Sequence, residues 1–152
     1  MVLTTTVLIV DDDQKMRELL TSILENAGYI VETAGGGKVA IKVCKKFPID
    51  VALIDIELPD TKGTKLLSAL EALQPKMVKI IITGYPSVEN AVTAVNEKAD
   101  GYVLKPFEPA DLLEKIKKLV ADKKNEYFAI LREVEQAKQN TPQFKYQNPN
   151  GW

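Results

Sequence analysis

The chain has 152 residues, 45% of them hydrophobic, which fits one domain with a short appendage. Lys and Arg total 20 and Asp and Glu total 21, so the net charge of −1 gives no general attraction to nucleic acid or to an anionic membrane. The sequence contains no histidine, so any phosphohistidine or histidine ligand in its chemistry belongs to another protein.

The single cysteine and the apolar runs bear on cellular location. Cys44 excludes an intrachain disulfide, and its place in an apolar helical pattern predicts a buried, inert thiol. The longest apolar runs are about five residues, far below the roughly 20 that span a bilayer. The first residues also lack the pattern of a signal peptide. We therefore expect a cytoplasmic protein without a membrane segment.

Short apolar runs alternate with helical patterns five times along the chain. The predicted strands are residues 7–10, 29–34, 51–54, 79–82 and 101–104. The predicted helices are residues 16–24, 39–47, 65–73 and 87–98, and one that begins near Pro109. Gly28 is expected to end the first helix, residues 35–37 to form a turn, and Ser87 to cap the fourth helix. This alternation predicts an α/β fold with an open parallel sheet and helices on both faces.

Chemically capable residues follow four of the five predicted strands: Asp11 with Asp12, then Asp55, Thr83 and Lys105. The carboxyl ends of parallel strands form one edge of a sheet, so these side chains should converge. Clustered carboxylates suit a hard divalent cation, and a carboxylate can attack phosphorus. A lysine and a hydroxyl can then bind phosphoryl oxygens. Taken singly, each residue also fits a turn, a helix cap or a solvated loop.

Four segments together resemble the receiver domains of two-component response regulators. They are Val-Leu-Ile-Val-Asp-Asp-Asp at 7–13, Asp-Ile-Glu-Leu-Pro-Asp-Thr-Lys-Gly at 55–63, Ile-Thr-Gly at 82–84 and Gly-Tyr-Val-Leu-Lys-Pro-Phe at 101–107. The resemblance covers about residues 5 to 121. It implies a flavodoxin-like, doubly wound sheet of five parallel strands in the order 2-1-3-4-5, with five helices of which the last is extended.

The resemblance also implies a role for each residue at the site. Asp55 would be the phosphoacceptor, with Asp11, Asp12, Asp55 and the backbone carbonyl of Glu57 around Mg²⁺ or Mn²⁺. Lys105 would pair with the phosphoryl group. The chain would then be a switch rather than an enzyme, with only its own phosphorylation and dephosphorylation as chemistry.

Further residues would carry the switch itself. The resemblance makes Thr83 the switch hydroxyl, Pro106 the proline after a cis peptide and Tyr102 the aromatic ring that turns inward after phosphorylation. A packed strand aromatic with its hydroxyl at the surface is the alternative for Tyr102. The surface of the fourth helix, fifth strand and fifth helix would change shape. Glu57 and Tyr85 would flank the water route to the phosphoryl group, and we predict slow autodephosphorylation.

The implied partners are a sensor histidine kinase or phosphotransfer protein, and a downstream target or an output domain. No helix-turn-helix, zinc motif or basic cluster with interleaved aromatics follows the receiver pattern. We therefore do not expect DNA binding by this chain alone.

The sequence beyond residue 121 continues the last helix. Its apolar positions fall at alternating three- and four-residue steps: Leu113, Ile116, Val120, Lys123, Tyr127, Ile130, Val134 and Ala137. We predict a receiver over 1–121, a helical extension over 122–138 and a disordered tail over 139–152, which is rich in Asn, Gln and Pro. The extension fits a dimerising coiled coil, a helix folded back on the receiver, or a linker to a further domain.

Two alternatives to a phosphorylated receiver stay open. The first is a phosphohydrolase of the haloacid dehalogenase type, because Asp11 and Asp13 fit its pair of aspartates. Against it, Lys15 stands where that family has Thr or Val, and the chain has no room for a cap domain. The second is a binding module of the same fold that no longer accepts phosphate, although Asp55, Thr83 and Lys105 are all present.

Overall fold

The computed structural model describes residues 4–140, which contain five strands and five helices. The strands are β1 (Thr6–Val10), β2 (Ile30–Ala34), β3 (Val51–Asp55), β4 (Val78–Thr83) and β5 (Gly101–Leu104). The helices are α1 (Gln14–Asn26), α2 (Gly37–Lys46), α3 (Gly63–Leu73), α4 (Val88–Asn96) and α5 (Pro109–Asn140). Strands and helices alternate throughout, as the sequence predicts.

The five strands form one parallel sheet in the order β2-β1-β3-β4-β5. This confirms the predicted doubly wound fold. β1 lies beside both β2 and β3, and Val7 to Val10 are fully buried because helices cover both faces of the sheet. The strand order reverses direction at β1, which places the carboxyl ends of β1 and β3 at the switch point of the sheet.

Alternating side chains of the strands fill two cores, one on each face of the sheet. On one face, Leu8, Val10 and Ile54 pack with residues of α2, α3 and α4. On the other, Val7, Ile9 and Leu53 pack with residues of α1 and of the first turns of α5. Two buried apolar layers thus pack on the central sheet, and they fix the strand ends from which the following loops begin.

Local capping explains both ends of α1 and the start of α4. The side chain of Asp13 accepts hydrogen bonds from the Lys15 and Met16 backbone N–H groups at 2.9 and 3.4 Å, so this residue caps α1. Gly28 has a φ of 94°, the left-handed conformation that ends α1. The Ser87 hydroxyl accepts a hydrogen bond from the Asn90 backbone N–H at 3.0 Å, as expected for the cap of α4.

α2 begins at Gly37, two residues before its predicted start, and therefore includes the end of the predicted 35–37 turn. The reason is not local, because its N-terminal donors are satisfied by Asp60, a residue from a different loop. The predicted buried thiol is confirmed: Cys44 is 6% exposed, and burial raises its pKa to about 11.

α5 continues to Asn140 as one helix, and the chain divides into two compact units after Val120. α5 includes residues 139 and 140, so these two belong to the helix rather than to the predicted disordered tail. Residues 141–152 of that predicted tail lie outside the described part of the chain. Across residues 4–140, no helix is both long enough and apolar enough to cross a membrane.

Candidate functional site

Three carboxylates converge where β1 and β3 end. Asp11 and Asp12 directly follow β1, and Asp55 is the last residue of the neighbouring β3. Because Val10 pairs in register with Ile54, the two strand ends lie side by side. One carboxylate oxygen from each of the three aspartates lies within 4.8 Å of the others. Asp11 is buried, Asp55 is intermediate and Asp12 is exposed, so the cluster opens to solvent on one side.

Lys105 closes the other side of this cluster. Its Nζ donates to Asp11 Oδ2 at 3.0 Å and to Asp55 Oδ2 at 3.1 Å. The residue follows β5, two strands away from β3, and its backbone N–H donates to the Thr83 carbonyl at 2.8 Å. The Lys105–Pro106 peptide is cis, in agreement with the sequence-based expectation. Lys105 therefore forms ion pairs with Asp55, 50 residues earlier in the chain, and with Asp11, 94 residues earlier.

Burial and the neighbouring charges shift the pKa values of Asp55 and Lys105. Burial raises the pKa of Asp55, the charge of Asp11 adds to this, and the hydrogen bonds from Lys105 and from the Glu57 backbone only partly oppose it. Burial lowers the pKa of Lys105, but its hydrogen bonds to Asp11 and Asp55 outweigh burial and leave that pKa raised. A lysine that stays charged thus faces the Asp55 carboxylate, whose negative charge is costly in this position.

Thr83 and Tyr85 lie at the end of β4. Thr83 is fully buried, and its hydroxyl oxygen accepts a hydrogen bond from the Tyr85 backbone N–H at 3.1 Å. Tyr85 itself is 77% exposed. Since Asp55 pairs in register with Ile82, Thr83 lies one residue beyond the level of Asp55 on the adjacent strand.

Tyr102 packs against the core on the α2, α3 and α4 face of the sheet. Its hydroxyl is buried, and no described residue meets hydrogen-bond geometry with it. Burial raises the pKa of Tyr102, and the nearby Ser87 backbone opposes this only in part. The hydroxyl at the surface that we considered as an alternative is therefore wrong. The ring is already directed inward in this structure, and its coupling to Thr83 stays a prediction.

The loop after β3 orients Asp55. The Glu57 backbone N–H donates to Asp55 Oδ1 at 3.1 Å, while the Glu57 side chain forms an ion pair with Lys62 at 2.7 Å. Residues 57 and 62 also form an isolated antiparallel bridge, and the Gly63 N–H donates to the Ile56 carbonyl at 2.7 Å. The two carboxylate oxygens of Asp55 are thus held by two different groups, the Glu57 N–H and Lys105.

Sequence reasoning missed three residues that support the site. Arg17 Nη1 donates to the Asp11 carbonyl at 2.7 Å, Lys62 holds the Glu57 side chain, and Asp60 ties the β3–α3 loop to α2. For Arg17 the sequence gives a weak indication, because this residue lies one turn into the helix that follows Asp11. Lys62 and Asp60 had none, because their contacts depend on how the loop closes.

The oxygen donors present fit a divalent cation such as Mg²⁺. Asp11, Asp12 and Asp55 offer hard carboxylate oxygens at ligand-sharing distances, and part of the site is open to solvent for retained waters. Burial and the charge of Asp11 raise the pKa of Asp55, as expected for acidic groups that a cation would stabilise. The Asp13 side chain instead caps α1, so it does not take the second-aspartate role of a haloacid dehalogenase.

Comparison with known proteins identifies the family. The sequence pattern of the response regulator receiver domain matches residues 7–117, well over half of the chain, and the chain belongs to this family. It is similar to a CheY-like receiver domain from Methanospirillum hungatei, with 42% sequence identity and a TM-score of 0.79 over 82% of this chain and 99% of that one. Receiver domains of this family are signalling switches rather than enzymes in the usual sense, and residues 7–117 form such a domain.

Two further relatives extend the comparison. The probable transcriptional regulatory protein TcrX of Mycobacterium tuberculosis is 30% identical over 115 residues, 76% of this chain and 49% of the relative. A response regulator from Burkholderia pseudomallei, solved with a phosphorylated aspartic acid, a calcium ion and citrate, is 27% identical with a TM-score of 0.72, over 90% of this chain and 75% of that one. The chain spans about half the length of some curated relatives it matches and about a quarter of the length of others.

Proposed function

We propose that this receiver domain is a phosphorylation-activated switch that takes a phosphoryl group from a histidine kinase or phosphotransfer protein onto Asp55, with Mg²⁺ or Mn²⁺ at the adjacent aspartates. The contact of Lys105 with both Asp11 and Asp55, at 3.0 and 3.1 Å, carries the proposal. In this proposal Asp55 is the nucleophilic carboxylate, Asp11 and Asp12 add metal ligands, and Lys105 is the phosphate-binding cation. The phosphorylated aspartic acid and calcium ion of the Burkholderia pseudomallei relative support the same chemistry here.

The transfer is a displacement at phosphorus. A carboxylate oxygen of Asp55 attacks the phosphorus of the donor's phosphohistidine, a P–O bond forms, and the P–N bond breaks. The donor's imidazole nitrogen keeps the electron pair of the broken bond and leaves as neutral histidine after proton balance with solvent. A cation held by Asp11, Asp12, Asp55 and the Glu57 carbonyl would neutralise charge on the transferred group. Lys105 is placed to move from the carboxylates to the new phosphoryl oxygens.

The switch follows from the charge that phosphorylation adds, about −1.5 to −2. The Thr83 hydroxyl accepts a hydrogen bond from Tyr85 in this structure, which leaves its own proton free to be donated to a phosphoryl oxygen. Movement of Thr83 would favour the inward position of the Tyr102 ring and alter the surface formed by α4, β5 and the start of α5. A partner that prefers the altered surface would shift the equilibrium further.

In this proposal the signal passes to a separate target protein or to a further domain of a longer protein. Two transcriptional relatives support this, because the chain matches only about half of their length. The altered surface carries exposed apolar side chains, with Val88, Val92 and Val95 on α4 and Leu104 on β5. We therefore propose that signalling from this chain acts through protein contacts in the cytoplasm and without DNA binding of its own.

Acetyl phosphate with Mg²⁺ tests the proposal directly. Intact-mass measurement should find one added phosphoryl group on the native chain and none on Asp55→Asn. Asp13→Asn is a matched control, because asparagine keeps the α1 cap and should be labelled normally. A native chain that stays unlabelled would favour the non-phosphorylated binding module. Turnover of a small phosphate ester that needs Asp13 but not Asp55 would favour the hydrolase.

We further propose that the extension of α5 pairs in parallel with a second copy of the chain. Its apolar side chains Tyr127, Phe128, Ile130, Leu131 and Val134 are between 41% and 53% exposed. With residues 127, 130, 134 and 137 as the seam, Glu133 and Lys138 take flanking positions that meet between parallel helices as opposite charges.

Charge reversal tests this pairing. Sedimentation equilibrium should show a dimer for the native chain, a weaker dimer for Glu133→Lys, and recovery for Glu133→Lys combined with Lys138→Glu. A monomeric native chain at high concentration, with and without a phosphate mimic, would rule out the dimer.

A further inference from the structure

The N-terminus of α2 has no cap of its own. Its N-cap residue is Gly36, which has no side chain to accept a hydrogen bond from the first turn. The backbone N–H groups at the start of a helix have no partner within the helix, so an outside acceptor stabilises them. Serine, threonine, aspartate and asparagine are the usual N-cap residues, because their side chains accept these hydrogen bonds.

Asp60 supplies this cap from a different loop. Its Oδ1 accepts from the Gly37 N–H at 2.9 Å and its Oδ2 accepts from the Lys38 N–H at 2.9 Å. These two backbone donors, Lys38 first and then Gly37, hold the pKa of the Asp60 carboxyl below its usual value. The carboxylate therefore stays ionised at neutral pH, where it also interacts favourably with the positive end of the α2 dipole.

Glycines on the α2 side give this contact its close approach. A Cβ atom on Gly37 would lie 2.5 Å from Thr61 Cγ2, and one on Gly36 would lie 3.0 Å from Asp60 Oδ1. A side chain at position 37 would therefore require Thr61 to shift, and one at position 36 would press against the Asp60 carboxylate. Gly36 and Gly37, which the sequence predicts as part of a turn, therefore form the surface that the tip of the β3–α3 loop contacts.

Asp60 lies at the tip of the loop that carries the phosphoacceptor. The base of this loop is closed by the bridge between Glu57 and Lys62 and by the hydrogen bond from Gly63 to the Ile56 carbonyl. The Glu57 N–H at this base donates to Asp55 Oδ1. A fixed tip and a fixed base together limit the orientations that the Glu57 backbone can take.

We propose that Asp60 is a positioning residue for the phosphoacceptor site, because it anchors the loop tip on α2 and thereby holds the Glu57 backbone against Asp55. The inference rests on the proposed function, since it assigns the Glu57 backbone to the orientation of Asp55 and to the metal. Loss of a residue that orients a ligand from outside the site commonly lowers metal affinity by about 10-fold or more. When the anchor is removed, we expect the Mg²⁺ concentration for half-maximal phosphorylation of Asp55 to rise by about 10-fold.

Two variants separate anchoring from simple helix capping. Asp60→Ala removes both functions. Gly36→Ser combined with Asp60→Ala gives α2 a local cap, in the space that the Asp60 carboxylate leaves, but does not restore the tie to the loop. The Asp50→Ala variant is a matched control, because Asp50 Oδ2 accepts from the Thr6 N–H at 2.8 Å and also joins distant segments, but at the opposite edge of the sheet.

Three measurements apply to each variant: the thermal unfolding midpoint, the Mg²⁺ concentration for half-maximal labelling by acetyl phosphate, and amide hydrogen exchange of Glu57 with EDTA present. We expect the recapped double variant to regain the unfolding midpoint while its Mg²⁺ requirement stays about 10-fold higher and its Glu57 amide exchanges faster. Asp50→Ala should lower only the unfolding midpoint.

Several results would overturn the inference. A recapped variant with native Mg²⁺ dependence would reduce Asp60 to a helix cap, and so would an unchanged Glu57 exchange rate in Asp60→Ala. If Asp60→Ala does not fold, Asp60→Asn, which keeps one carbonyl acceptor, must show an intermediate defect. A native chain that is never labelled rejects the proposed function instead, and the exchange of Glu57 with EDTA present then still decides whether Asp60 anchors the loop.

Discussion

Gly63 offers the sharpest test of how the fold holds the phosphoacceptor. It is the first residue of α3, and a Cβ atom built on it would lie 2.1 Å from the Asp55 carbonyl oxygen and 3.0 Å from Ile56 Cα. Both contacts are with backbone atoms, so no side-chain rotation can relieve them. Gly63→Ala must therefore displace either the end of β3 or the start of α3.

The size of this displacement follows from the distances. Cβ contacts under 3.0 Å essentially never occur, so the Asp55 carbonyl and the new methyl group must separate by about 0.9 Å, from 2.1 to 3.0 Å. Overpacking of a rigid site costs about 1–3 kcal/mol, and a clash against two backbone segments places this case near 3 kcal/mol. For a unit of this size that corresponds to a fall of about 10 °C in the unfolding midpoint.

The same displacement should reduce phosphorylation. A misplacement of about 1 Å in a reacting group can cost about 100-fold in rate. We expect the rate of labelling by acetyl phosphate to fall by about 10-fold to 100-fold at a temperature where Gly63→Ala is still folded. Circular dichroism melting and timed intact-mass measurement give the two quantities.

Gly84→Ala is the control for this experiment. A Cβ atom on Gly84 would lie 3.9 Å from Lys105 Cβ, an ordinary contact, although this glycine also stands in a loop beside the site. Its unfolding midpoint should change little. Gly63→Ala with a native melting curve and a native labelling rate would refute the claim that close approach to Asp55 requires glycine at position 63.

Four further predictions follow from individual residues. Glu57→Asn or Tyr85→Ala should shorten the lifetime of the aspartyl-phosphate, and decay rates equal to native in both would reject the proposed tuning. Lys98 has a φ of 69°, so Lys98→Gly should stabilise the protein by about 0.5–1 kcal/mol in chemical denaturation. The lowered pKa of Asp60 means that its contribution to stability is present above the ordinary pKa of 3.8 and is lost as the pH falls through the lowered value; Asp60→Asn should lack that step. Because burial raises the pKa of Cys44 from 9.0 to about 11, its alkylation at pH 8 should be about 100-fold slower than in the unfolded chain.

The sequence alone predicted the fold with little error, and the reason is local. Apolar runs such as 7–10 and 51–54 form strands because their burial on both faces requires continuous hydrophobic sequence, and the structure places strands there. Asp13, Gly28 and Ser87 mark helix ends through contacts within a few residues of themselves. The convergence of Asp11, Asp12, Asp55 and Lys105 was equally predictable, because parallel strands bring their carboxyl ends to one edge.

Tertiary structure alone decided how the loops hold that site. The Asp60 cap on α2 spans 22 and 23 residues of sequence, and the Arg17 contact with the Asp11 carbonyl depends on the angle at which α1 leaves the sheet. No periodicity or propensity encodes such contacts, because they arise only when separate loops are brought to hydrogen-bonding distance. The inward position of Tyr102 is of the same kind, since it depends on space left by the core rather than on the residue itself.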